Sequence, residues 1–275
     1  MKMSFSLDLR EQICRQPIDL PVFNSVALEL LQLLADQSAE ISDVIKIINK
    51  DSALSIQILK MANSPAYAGR SASATIKESV NRLGIKQITN LAMAASQADI
   101  HTSSIPLVNE MMKQLWIHSY ASALGCQSLA VNTGNKEIAD QAYMAGLLHD
   151  IGKLYLLKAM EQIHLSGKIE FELGKETLLE VFSDMHVEQG VRIMFHMDIP
   201  DLYRSIVAKH HADNLDSDEP LLVIVRLVNF MSMQYGLNSY PRYVRPKNAD
   251  SEINLLKASE SALAQLEADM RSSCY

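Results

Sequence analysis

The stretch "AGLLHDIGKL", Ala145–Leu154, sets a histidine and an aspartate side by side at the end of an apolar run, with a glycine and a lysine following closely. Burying an imidazole and a carboxylate costs free energy unless each is paired or holds a cation. His149 and Asp150 therefore mark either a metal-binding spot or the remains of one. Just before them Ala139, Ala142, Ala145 and Gly146 are small, which lets a second helix approach closely, and the pattern predicts a helix over about 137–149.

Outward from that stretch, helical periodicity dominates and predicts an all-α fold. "SVALELLQLLADQ" carries Val26, Leu30, Leu33 and Leu34 at helical spacing behind an Asn24 or Ser25 cap. "SDVIKIINKD" repeats the pattern, and a third segment runs from Ser52 to Asn63, where Pro65 stops it. Here Asp51 reads as a cap for the preceding peptide groups, and Asn63 with Ser64 as a device that binds the helix's loose carbonyls. In "TIKESVNRLG", Thr75 and Glu78 fit a capping box and Gly84 a stop. Further helices are expected at about 108–132, 154–166, 176–196, 201–212 and 220–236. The length of "LLVIVRLVNFMSMQY" argues for a helix rather than a strand. "DNLDSDEP" and "YPRYVRPKN" read as connections, and a last amphipathic helix over about 251–271 is polar enough to be a mobile element. The expected organisation is an N-terminal segment over 1–17, a helical lobe over 18–107, a bundle over 108–236, and a linker with a C-terminal helix over 237–275.

Composition narrows the class of protein. With 48% hydrophobic and 21% charged residues the 275-residue chain has an ordinary globular balance. Its net charge of −7 argues against a nucleic-acid partner, which needs a basic face to neutralise phosphates. No apolar run approaches a membrane span and no secretory signal is visible. Cys14, Cys126 and Cys274 are odd in number and far apart, which points to reduced thiols and a cytoplasmic setting. Trp116, the only tryptophan, reads as a core anchor.

Five of the eight histidines fall in or beside helical core patterns: His118, His149, His186, His210 and His211. Imidazole with carboxylate suits Zn, Mn, Fe, Co or Ni. By spacing alone a hydrogen-bonded core histidine is the commoner arrangement at such positions, Asp150 also fits a turn or cap, and Lys153 fits a solvated side chain at a helix start equally well.

At "HDIGK" the chain resembles the HD superfamily of metal-dependent phosphohydrolases, and more closely its HDOD branch, the HD-related output domain of bacterial signalling. The features run in order: "IDLPVF", then "DSALSIQILKMANSPAY" with Ser52 where proline is usual, then "TIKESVNRLG" with Val80 in place of isoleucine, "LWIHS", "GLLHDIGKL" and "IVAKHH". The resemblance covers about 18–236. It implies an HD-type helical bundle with an N-terminal helical lobe, acting as a regulatory or output module through contacts with other signalling proteins. It also implies a retained pocket for a divalent metal or a nucleotide. The alternative it carries is a metal-dependent phosphohydrolase or phosphodiesterase acting on a nucleotide or cyclic dinucleotide. By resemblance His118 matches the first HD histidine, His149 and Asp150 the HD pair, and Lys153 the lysine of HD-GYP enzymes. His186 with Gly190 and the pair His210–His211 match further HD-GYP elements. The implied metal ligands are His118, His149, Asp150, His186, His210, His211 and Asn229, and the implied catalytic groups are Asp150 and Lys153. Two departures stand out. Asn229 occupies the late-helix position where HD enzymes carry an aspartate, and "ADNLDSDEP" replaces the G-Y-P signature.

Overall fold

The computed structural model describes residues 6–17, 24–33, 40–67, 69, 71–212, 219–237 and 248–272. "IDLPVF", Leu34, Cys274 and most of the two expected connections lie outside the described residues. Among the described residues all regular structure is helical: fourteen α-helices and a short 3-10 segment at Lys136–Ile138. The all-α fold expected from the periodicity is the fold observed. None of these helices is long and apolar enough to cross a membrane. The chain forms two compact units, one over Pro21–Ile100 and a larger one combining the N-terminal residues to Leu20 with His101–Cys274.

The chain opens with α1 (Leu7–Arg15), which belongs to the larger unit. The smaller unit follows as α2 (Ser25–Leu33), α3 (Ile41–Ile48), α4 (Ser52–Ala62), α5 (Ile76–Leu83) and α6 (Ile85–Ile100). Leu30, Val44, Ile48, Ile58, Ile88 and Leu91 fill its core with no exposure; each such side chain contributes about 1.5–3 kcal/mol by leaving water. The caps follow the sequence expectation in part. Asn24 caps α2 through its Oδ1, which accepts from the Val26 amide at 2.8 Å. Asp51 caps the helix after it, accepting from the Leu54 amide at 3.0 Å. Thr75 accepts from the Glu78 amide, but the Glu78 carboxylate reaches back past Thr75 to the Ala74 amide. As expected, the backbone amides of Asn63 and Ser64 end α4 by bonding the Leu59 and Met61 carbonyls, and the Asn63 side chain does something further. That side chain pairs with both backbone groups of Ser73, at 2.9 and 2.8 Å, and Arg82 satisfies the loose Ala62 carbonyl.

The larger unit continues with α7 (Pro106–Asn132), α8 (Ala139–Leu148), α9 (Ile151–Ser166), α10 (Lys175–His196), α11 (Asp201–Lys209), α12 (Pro220–Gln234), α13 (Asp250–Leu256) and α14 (Glu260–Arg271). At 27 residues and 1.5 Å per residue, α7 is about 40 Å long. It packs against α8, α12 and α14, while α9 packs against α10 and α10 against α11. Three close approaches depend on glycine. A Cβ on Gly146 would press into the Ser122 carbonyl of α7, one on Gly125 into Leu266 and Met270 of α14, and one on Gly152 into the His186 carbonyl of α10. Helix α1 is fastened to the same unit: the Tyr155 hydroxyl donates to the Ile13 and Gln16 carbonyls, and Arg10 pairs with Asp184 and Glu188 of α10.

Two expectations are corrected here. The C-terminal helix is two helices, broken at Lys257, whose φ of 51° is left-handed. Its second part is held in place, because Ala262, Leu266 and Met270 are buried. Trp116 is only half-buried; it stacks on Tyr120 with ring centres 5.4 Å apart rather than anchoring a core.

Candidate metal centre

Helix α8 ends at Leu148 and α9 begins at Ile151, so His149 and Asp150 are the joint between them. Adjacent residues on one continuous helix diverge by about 100°; at a joint they converge. Asp150 holds the N-cap position of α9, yet its carboxylate caps nothing and turns into the interior instead. That leaves one of the most costly groups to bury without the role that its position suggests.

Five other polar side chains come to it. His118 Nε2, from the middle of α7, lies 3.3 Å from Asp150 Oδ2, as does His149 Nε2, and the two imidazole nitrogens are 3.2 Å apart. The ammonium of Lys153, one turn into α9, is 2.6 Å from the same Oδ2. The other oxygen, Oδ1, faces His210 Nε2 at 3.6 Å and His186 Nε2 at 3.9 Å. His211 joins that second set, with its ring centre 5.0 Å from that of His186, but it is exposed. Two ligand sets therefore share Asp150: His118, His149 and Asp150, and Asp150, His186, His210 and His211, the donor atoms of each lying within 4.8 Å of one another. Ligand atoms around a tetrahedral ion at about 2.1 Å sit about 3.4 Å apart, so both sets have the right scale.

Backbone carbonyls aim the rings. His149 Nδ1 donates to the Gly146 carbonyl at 2.8 Å, His186 Nδ1 to Phe182 at 2.5 Å and His210 Nδ1 to Val207 at 2.8 Å. A neutral imidazole that gives its proton at Nδ1 keeps a lone pair at Nε2, the arrangement that metal-ligating histidines use. His118 differs. Its Nδ1 is buried without a hydrogen-bond partner. A bare acceptor is easier to bury than a bare N–H, which places its proton on Nε2, towards His149 and Asp150.

The cluster is nearly dry: His118, His149, Asp150 and His210 are at most 2% exposed, His186 7% and Lys153 8%. Burial drives the His118 imidazole down to about 4 and, with Lys153 nearby, His186 to about 3; burial also lowers His210. Burial alone would raise Asp150, but Lys153 and the imidazoles outweigh it and hold the carboxyl well below the usual range. His118, His186 and His210 are therefore neutral at neutral pH, around one anion. Asp150 Oδ1, His186 Nε2 and His210 Nε2 are all buried acceptors with no hydrogen-bond partner. Such a group of orphaned acceptors fits a cation.

Asn229 lies on α12, which packs on α7 and α8; it is 3% exposed and its Oδ1 has no hydrogen-bond partner. Residue identity revealed the positioning machinery only in part, through the small residues that end at Gly146. Gly146 both admits α7 and supplies the carbonyl that orients His149, while Gly152 and Gly190 face each other where α9 crosses α10. The four-residue spacing of Gly146 and Asp150 carries no recognisable signal; the proximity of Gly152 and Gly190, 38 residues apart, is a tertiary fact.

Comparison with known proteins agrees with this architecture. A protein of Treponema pallidum (strain Nichols) described only as uncharacterized is 25% identical over 219 residues, which is 77% of this chain and 42% of that protein, so the chain spans under half of that relative. A candidate metal-dependent phosphohydrolase from Shewanella amazonensis SB2B superposes with a TM-score of 0.71 at 20% identity, covering 97% of each chain. An HDOD domain protein of unknown function from Geobacter sulfurreducens gives 0.71 at 19% identity over 96% of each. At these identities the two structures establish the fold alone. The HDOD domain model itself matches residues 20–213, most of the sequence, and on that match the chain belongs to the HDOD domain family.

Proposed function

We propose that the protein is a regulatory output module of bacterial signal transduction, acting through contacts with other signalling proteins, whose Asp150-centred cluster holds a divalent transition metal. The observation that carries this reading is the charge of the cluster. Among the described residues Asp150 is the sole buried carboxylate, and the Lys153 ammonium lies 2.6 Å from it. Hydrolysis of a phosphoester needs a metal-bound water made acidic and cations on the phosphoryl oxygens, held by several anionic ligands. One carboxylate, already neutralised, leaves too little negative charge to hold that assembly unaided. An ion bound mainly by imidazoles would instead tie α9, α10 and α11 together and set the surface offered to a partner. Buried, unpaired Cys126 supports a reducing, cytoplasmic setting.

The second reading, a metal-dependent phosphohydrolase acting on a nucleotide or cyclic dinucleotide, is favoured by the two ligand sets sharing Asp150 and by Lys153 as a candidate phosphate partner. One experiment separates the two. The chain is purified without chelator, its bound metal is measured, and hydrolysis of a generic phosphodiester is compared with that of His149→Ala. Bound metal without His149-dependent turnover supports the output module; turnover that vanishes in the variant transfers the assignment to the phosphohydrolase.

A further inference from the structure

We propose that the two ligand sets are not equivalent: Lys153 is the resident cation of the His118–His149–Asp150 set, and the chain by itself binds a single divalent ion at Asp150 Oδ1, His186 and His210. This rests on the reading of the cluster as a metal centre and says which half of it the ion takes.

The hydrogens decide the matter where the spacings do not. In the first set every inward-facing atom has a partner. Asp150 Oδ2 receives the Lys153 ammonium at 2.6 Å, and His118 Nε2 and His149 Nε2 are bonded to each other at 3.2 Å. His149 gives its Nδ1 proton to Gly146, so the proton between the two rings belongs to His118. His118 thus presents an N–H, not a lone pair, to the middle of that set. An ion entering there must displace an ammonium and move a proton from one side of a buried ring to the other. In the second set nothing has to move. His186 and His210 spend their Nδ1 protons on Phe182 and Val207, and their Nε2 lone pairs face Asp150 Oδ1 at 3.9 and 3.6 Å. All three atoms are buried and none has a hydrogen-bond partner. Three acceptors turned towards one another are mutually repulsive until a cation stands among them.

Charge points the same way. Asp150 and Lys153 are the only buried charged side chains among the described residues, and they cancel. One divalent ion leaves the buried cluster with two positive charges in excess, and a second would leave four, in surroundings that screen poorly. The second ion therefore requires either loss of the ammonium or an anion brought by a ligand.

The test uses the full chain, stripped with chelator and dialysed into phosphate-free buffer, with Zn²⁺ as the probe. Calorimetric titration of the wild type is expected to give one ion per chain. His186→Ala and His210→Ala should each weaken it at least tenfold, His118→Ala should leave it within about threefold, and Lys153→Met should admit a second ion. A readout free of any substitution is the long-range proton–nitrogen spectrum of the histidine rings. Addition of Zn²⁺ should shift Nε2 of His186 and His210 while His118 Nε2 keeps its proton. Two ions in the wild type, or one ion that shifts His118 and His149 and is lost in His118→Ala, overturns the assignment of the subsite while leaving a metal centre. No Zn²⁺ bound to the wild type overturns this inference and the metal reading together.

Discussion

Gly152 lies so close to His186 that a single methyl group on it would overlap the His186 carbonyl oxygen, and Gly190 stands directly opposite. This contact sets how near α10 comes to Asp150, and so whether the His186 imidazole reaches the carboxylate at all. The obstacle is backbone, which cannot rotate away as a side chain can. Gly152→Ala is therefore expected to destabilise the chain by about 3 kcal/mol or more, at the upper end of overpacking effects. Gly190→Ala meets chiefly a methyl of Val207 and should cost about 1–2 kcal/mol. Urea denaturation of the two variants checks the order; equal losses would mean that the crossing is looser than described.

Asp150 and Lys153 form a buried pair whose halves should not be separable. Asp150→Asn leaves the ammonium buried without its anion, at a cost of about 3–5 kcal/mol. Adding Lys153→Met to that variant removes the stranded charge, and the double variant should recover more than half of the loss. A double-mutant cycle on metal-free protein reads this directly. If the double variant is less stable than Asp150→Asn alone, the pair is not what balances the charge.

Acid should weaken the metal-free fold from an unusually high pH. His118 and His186 are held at about 4 and about 3, below their ordinary 6.5. Between about pH 6.5 and 4 the unfolded chain binds protons that the folded chain refuses, so stability falls as pH falls. Each imidazole contributes up to about 1.4 kcal/mol per pH unit in that window. Asp150, with its carboxyl also depressed, adds a loss of the same sign below about pH 4. Above pH 6.5 these groups contribute no slope. Thermal melts from pH 8 to pH 4.5 should show a plateau and then a steep decline; a decline beginning only below pH 4 would contradict the burial of the imidazoles.

In the smaller unit, Asn63 is a clip as well as a helix stop. Its side chain holds both backbone groups of Ser73. Asn63→Ala removes two bonds to largely buried backbone and should cost about 1–3 kcal/mol. Asn63→Asp keeps the acceptor and loses the donor, and is expected to fall between. Denaturant midpoints of the three proteins give the ranking.

Much of this molecule is written locally in its sequence. Apolar residues at a 3.6-residue period mark nearly every helix, because a helix must bury one stripe wherever it is placed. Polar residues that interrupt such stripes, His118, His149 and Asp150 above all, stand out for the same reason, and the small residues ending at Gly146 announce a close neighbour. Even so, the last helical stretch is two helices, and the burial of Leu266 and Met270 comes from the packing of α14 against α7, which their own neighbours in the sequence do not announce. The tertiary structure alone decided which atoms of the centre are free to act. The protons of His149, His186 and His210 are fixed by backbone carbonyls, and every residue has a carbonyl, so nothing in their sequence distinguishes Gly146, Phe182 or Val207. That Lys153 takes one oxygen of Asp150 and leaves the other to two bare imidazoles follows from where three helices cross, which is a property of packing and not of periodicity.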